Sequence, residues 1–236
     1  MVHSDAFLSE KGVVSCLGVY AAWHWSTGNL QSQTHGLWKT QPSPEQRKIF
    51  DILTKHFTLK LDDVKQERWW TLITPAFSHI QSDHIFGNLL AFSTFSRMLL
   101  TCGIGPLRYG LLILGSAVSG HLAFLYQASL RQPRGWAFFT QRAELQALGL
   151  SGVVMGLGVA VSLAAPRAKI LVFGAVPMPV WLLMVLYIVY DSAGLEDPTS
   201  TVGHAAHLGG AAFGAAFYLL ALRNNAALPF SWLLKN

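Results

Sequence analysis

Apolar residues fall in long runs along this chain, separated by short polar breaks. A helix needs about 20 mainly apolar residues to cross a bilayer. Residues 148–165 carry no charge, 170–190 none before Asp191, and 202–222 none before Arg223. Residues 106–130 contain only Arg108, near the start, and 84–98 are apolar from Ile85 to Phe95, with Arg97 closing the run. A sixth, shorter run at 12–26 contains His24 and reads as a helix or as an amphipathic or re-entrant segment. Residues 31–82 break the pattern, with seven Lys or Arg, five Asp or Glu, and both Pro42 and Pro44. This stretch reads as a polar first loop, and its Trp69-Trp70-Thr71-Leu72 run suits the headgroup level of a membrane or a packed loop core. The pattern predicts an all-α polytopic membrane protein, a six-transmembrane-helix bundle. Its parts are an N-terminal tail at 1–11, a membrane domain at 12–223 and a C-terminal tail at 224–236.

Composition agrees. Charged residues are 12% of the 236, and hydrophobic residues are 52%. That is about half the charge of a soluble globular domain, which disfavours an ordinary soluble enzyme and excludes disorder. Cys16 and Cys102 are the only cysteines, too few for a disulfide scaffold. The net charge of +5 mostly reports topology. With six spans, Lys11, Arg97, Arg108, Arg167, Lys169, Arg223 and Lys235 fall on one side. Arg131, Arg134 and Arg142 fall on the other, with Glu144, Asp191, Glu196 and Asp197. The basic excess puts both termini on the cytoplasmic or matrix side. The first twelve residues contain Asp5 and Glu10 and no Arg-rich amphipathic pattern, so no cleavable signal is expected there. No basic-aromatic pattern points to nucleic acid.

Polar groups inside spans are costly and mark candidate function. Three sites stand out. Gly149-Leu150-Ser151-Gly152 opens the fourth span, with glycines exposing the hydroxyl and a helix start offering free N–H groups. Gly203-His204-Ala205-Ala206-His207 opens the sixth. His207 shares a face with Gly203, Gly210 and Gly214, while His204 projects with Leu208, Ala211 and Ala215. Two small-residue faces can pack backbone to backbone. This predicts that the small-residue face of His207 meets a stripe of Ser151 or Gly152, Gly156 and Ala160 and brings Ser151 to His207, a nucleophile beside its base. His84 and Asn88, four apart on the second span, can donate to an oxyanion or form an interhelical clamp. The fourth and sixth spans hold no acidic residue, so a Ser–His dyad is expected, with Asp191 an interfacial cap.

Together these motifs resemble the rhomboid family of intramembrane serine proteases. The matches are H-x-x-x-N at His84 and Asn88, G-x-S-G at 149–152, and A-H-x-x-G-x-x-x-G at Ala206, His207, Gly210 and Gly214. Trp69-Trp70-Thr71, Ser78-His79 and Ser119-Gly120 are similar too, and the likeness spans roughly 69–223. The resemblance implies a six-helix core with Ser151 as nucleophile and His207 as general base. His84, Asn88 and the Ser151 backbone N–H would form the oxyanion hole. Substrates would be single-pass transmembrane proteins in the lipid bilayer, cut in or near the membrane with small residues favoured, and the fifth helix would be a lateral gate. No cofactor or metal is implied. Pro177-Met178-Pro179-Val180-Trp181 resembles the mitochondrial and plastid branches, suggesting the mitochondrial inner membrane, and a break or kink is expected near Pro177–Pro179. Many members carry Trp-Arg where Thr71 follows Trp70, with Arg68 upstream.

Other readings are a catalytically inactive relative that binds membrane clients, a metal site at His84, His204 and His207, and a transporter with a broken helix at 177–179. H-E-x-x-H and G-x-G-D, marks of other intramembrane proteases, are absent.

Overall fold

The computed structural model describes residues 2–31, 42–131, 146–172, 174–197 and 200–223. The C-terminal tail with Lys235, part of the first loop at 32–41, and 132–145 with Arg134, Arg142 and Glu144 lie outside the described residues. α1 runs from Val2 to Gln31, so the short first span is a helix that takes in the expected N-terminal tail. α4 (Ser82–Thr101), α5 (Pro106–Leu130), α6 (Ser151–Ala164) and α8 (His204–Phe217) occupy the runs expected to span. A single π-turn, Tyr218–Leu222, prolongs α8. Pro106 sits in the first turn of α5, where its missing N–H leaves no hydrogen bond unmade.

The run at 170–190 differs from expectation. Its first half is an antiparallel hairpin, β1 (Lys169–Val172) with β2 (Val176–Pro179), and only α7 (Val180–Gly194) is helical. The fold is therefore not purely α-helical, and the proline-rich segment is a strand rather than a helix kink. Pro177 and Pro179 have no N–H to donate, which a two-stranded ribbon tolerates because both strands are edges. Helix starts as soon as the second proline is passed.

The first loop is built, not loose. α2 (Pro44–His56) starts with a reciprocal cap: the Gln46 N–H donates to Ser43 Oγ at 3.2 Å, and the Ser43 N–H to Gln46 Oε1 at 2.9 Å. After α3 (Leu61–Lys65), two 3₁₀ turns, Trp69–Leu72 and Thr74–Phe77, carry the chain to α4. Thr71 is fully buried while Trp69 and Trp70 face outward, as an interfacial segment requires. Arg68 is ion-paired with the buried Asp63, whose other oxygen accepts the Lys60 N–H at 2.8 Å. The loop is thus clasped by an arginine upstream of the tryptophans. Trp23 of α1 donates to Ser78 Oγ at 2.6 Å, and His121 of α5 bonds the Leu72 carbonyl at 2.8 Å.

The helices carry apolar side chains on their outward as well as their inward faces, unlike those of a soluble protein. On α5 the exposed positions are Leu107, Leu111, Leu114, Leu122, Tyr126 and Leu130, while Ser116, Gly120 and His121 face inward. On α7 Trp181, Val185, Leu186, Val189 and Tyr190 are exposed, and Asp191 is fully buried. Apolar stripes of this extent facing outward mark a surface that does not meet water. By length and composition, Pro106–Leu130 and His204–Leu222 can cross a membrane, and 151–164 and 180–194 are shorter apolar helices.

Candidate active site

The turn before α6 is set from the first loop. Gly149 has φ of +122°, a conformation that suits glycine alone, and a Cβ there would lie 2.7 Å from His84 Cε1. Its N–H donates to the Pro75 carbonyl at 2.8 Å, and the Leu150 N–H donates to His79 Nε2 at 3.2 Å. Ser151 is then the first residue of α6, and its own N–H has no helical carbonyl to reach.

α8 crosses α6 with the backbones nearly touching. A Cβ on Gly210 would fall 1.9 Å from the Gly152 carbonyl oxygen, and one on Gly214 2.2 Å from that of Gly156. This is the small-residue contact expected from the sequence, and it brings Ser151 to His207. The Ser151 hydroxyl lies 2.8 Å from His207 Nε2, in position to donate. Such a pair can attack a carbonyl, since the imidazole can accept the proton the hydroxyl loses.

Asp191 is not an interfacial cap. It is buried near the end of α7, and its Oδ1 lies 2.9 Å from His207 Nδ1 and 2.7 Å from His204 Nδ1. Carboxylate oxygens accept, so both rings carry their proton on Nδ1. His204 Nε2 is then free to accept from Ser200 Oγ at 2.8 Å. His204 was expected on a separate face. Residues three apart are only roughly 60° apart around a helix, so both rings reach one carboxylate.

His84 and Asn88 flank the same turn. The His84 ring lies against Gly149 and interacts electrostatically with His207. Asn88 is buried, and its amide donates to His79 Nε2 at 3.0 Å, leaving its second amide hydrogen for another acceptor. His79 thus links Asn88 to the backbone just before Ser151, and its ring centroid is 5.0 Å from that of His84. Burial pushes His79 down to about 4, with the neighbouring His84 adding to the effect and the Phe77 backbone opposing it. The Ser78-His79 pair carries no local sign of the His79 contacts, and Asp191, expected as an interfacial cap, is instead buried against two histidines. The signal for Asp191 was a carboxylate at the end of an otherwise uncharged run. No group of three His, Cys, Asp or Glu side chains able to hold a metal ion occurs among the described residues, His84, His204 and His207 included.

Residues 66–224 match the Rhomboid domain. The chain is 31% identical to RHOMBOID-like protein 12, mitochondrial, of Arabidopsis thaliana over 70% of its own length and 50% of that protein's. It is 29% identical to Rhomboid protein 1, mitochondrial, of Saccharomyces cerevisiae over 77% of its own length and 48% of that protein's. The chain spans about half the length of the curated relatives it matches. With the domain covering most of the chain and both relatives of one kind, this membrane protein belongs to the rhomboid family, in its mitochondrial-type branch.

Proposed function

We propose that the protein is an intramembrane serine endopeptidase that cuts single-pass transmembrane proteins in or near the bilayer. The observation that carries this reading is the 2.8 Å contact between Ser151 Oγ and His207 Nε2 at the shared end of α6 and α8. Ser151 Oγ attacks the scissile carbonyl carbon as His207 Nε2 takes its proton. The oxyanion that forms is held by the Ser151 N–H, His84 and the second amide hydrogen of Asn88. His207 returns the proton to the leaving amine, and water, activated by the same imidazole, hydrolyses the acyl-enzyme. Six helices, α1 and α4 to α8, form the spanning bundle, and α7 is the lateral gate. The word mitochondrial in both relatives' names supports a mitochondrial membrane, and we assign the inner one.

The test is labelling of detergent-solubilised protein by a fluorophosphonate. Wild type is expected to label, while Ser151→Ala abolishes labelling and His207→Ala reduces it to background, both with folding retained. A folded wild type that does not label would replace this reading with a non-catalytic binder of membrane clients.

A further inference from the structure

We infer that Asp191 is the positioning carboxylate of a Ser151–His207–Asp191 triad, an inference that rests on the serine-protease reading above. Three contacts carry it. Ser151 Oγ meets His207 Nε2 at 2.8 Å, and His207 Nδ1 meets Asp191 Oδ1 at 2.9 Å, so the two ring nitrogens are bonded to the two partners a triad needs. Asp191 is completely buried on the inward face of α7, in register with Val180, Met184 and Ile188, so a carboxylate stands where the rest of that face carries apolar side chains. Its orientation is fixed independently, because the same Oδ1 accepts from His204 Nδ1 at 2.7 Å and His204 is itself held by Ser200.

The chemistry follows from proton positions. Neutral imidazole has one N–H and one lone pair. Bonding to Asp191 keeps the proton on Nδ1, which leaves the Nε2 lone pair pointing at the Ser151 hydroxyl. When Nε2 takes the hydroxyl proton, the ring becomes a cation, and the carboxylate beside it stabilises that cation without itself being protonated. The proton then leaves from Nε2 to the departing amine, and the starting tautomer is restored. Asp191 touches neither substrate nor reacting atoms; it acts through His207. A structural alternative exists, in which Asp191 only ties α7 to α8. The two differ in what an isosteric amide does. Asparagine can keep a hydrogen bond to each ring but supplies no charge, and its NH₂ favours the tautomer with the proton on Nε2.

The experiment compares wild type, Asp191→Asn and His204→Ala, using the rate of fluorophosphonate labelling resolved into its binding and bond-forming constants, together with thermal unfolding. Asp191→Asn is expected to slow bond formation by ~10²–10⁴-fold with the probe's binding constant unchanged and unfolding little altered. His204→Ala, which leaves the His207 contact in place, is expected to lose no more than about tenfold. Labelling of Asp191→Asn within about threefold of a Ser151-dependent wild type overturns the triad and leaves the protease reading standing. A wild type that does not label at all overturns both. Should the variant fail to fold, ¹⁵N-histidine NMR of the wild type decides. Neutral His207 protonated on Nδ1 supports the triad, and protonated on Nε2 overturns it.

Discussion

His79 meets two donors, the Leu150 N–H and the Asn88 amide, with the single lone pair of Nε2. Protonation would put a third N–H there and break both contacts. Its folded value near 4 lies below the ordinary 6.5. Between those values the unfolded chain takes up a proton that the folded one refuses. Stability is therefore full above about pH 6.5, falls as pH drops toward about 4, and levels off below, a loss on the order of 3 kcal/mol. His79→Gln, which can still accept through its side-chain oxygen, should unfold thermally with a much smaller difference between about pH 7 and about pH 4.5 than wild type. Equal differences would place the titration elsewhere. For the proposed oxyanion donors, His84→Ala and Asn88→Ala are each expected to slow bond formation with a fluorophosphonate by ~10²–10³-fold while Ser151 remains present. Loss of folding without loss of rate per folded molecule would make both a helix clamp. Ser151, His207, His84 and Asn88 were legible because helical periodicity fixes which residues share a face. The role of Asp191 was not, because it depends on how α7 is rotated against α8, which no local spacing encodes.

At the scale of elements, the glycine-lined crossing of α6 and α8 decides whether the site exists. The obstacle to a side chain at Gly210 is the backbone oxygen of Gly152, which cannot swing aside as a flexible side chain can. Gly210→Ala is expected to force the helices apart, destabilise the protein by about 1–3 kcal/mol and pull His207 away from Ser151. Gly110→Ala on α5, where a Cβ would meet nothing within 4 Å, is the control and should stay within about 0.5 kcal/mol. Denaturant or thermal unfolding in detergent, read beside fluorophosphonate labelling, checks both. Equal effects at the two positions would mean that the close crossing does not limit packing. This contact was legible from the Gly-x-x-x-Gly spacing, and α5 matched its apolar run end to end. The hairpin before α7 was not legible. Its residues are as apolar as those of a helix, and proline announces a break without saying what fills it.

Across the whole molecule, the basic residues that close the helices lie at the ends away from the chemistry, while the first loop beside the site carries seven Lys or Arg balanced by five Asp or Glu. α4, α6 and α8 begin at the site with Ser82, Ser151 and His204, and α7 ends there with Asp191 close by its terminus. The opposite ends carry Arg97 on α4, Arg108 on α5, Arg167 and Lys169 after α6, and Arg223 after α8. α1 follows the same order, since its Trp23 reaches Ser78 in the first loop near the site while its N-terminal end points away. Basic residues in short loops are retained on the cytoplasmic or matrix side, so the site is expected to open on the other face. In a mitochondrial inner membrane that face would be the intermembrane space, and the β1–β2 hairpin would lie in the matrix. This can be read with single cysteines in a Cys16→Ser, Cys102→Ser background. Asp62→Cys, half-exposed in the first loop, should react with a membrane-impermeant maleimide in mitoplasts. Leu171→Cys, 62% exposed on β1, should react only after the membrane is permeabilised. The reverse pattern would invert the protein, and reaction of both in intact mitoplasts would mean that the hairpin and the first loop share a face. That second result would remove the alternation of helix directions on which a six-helix bundle depends.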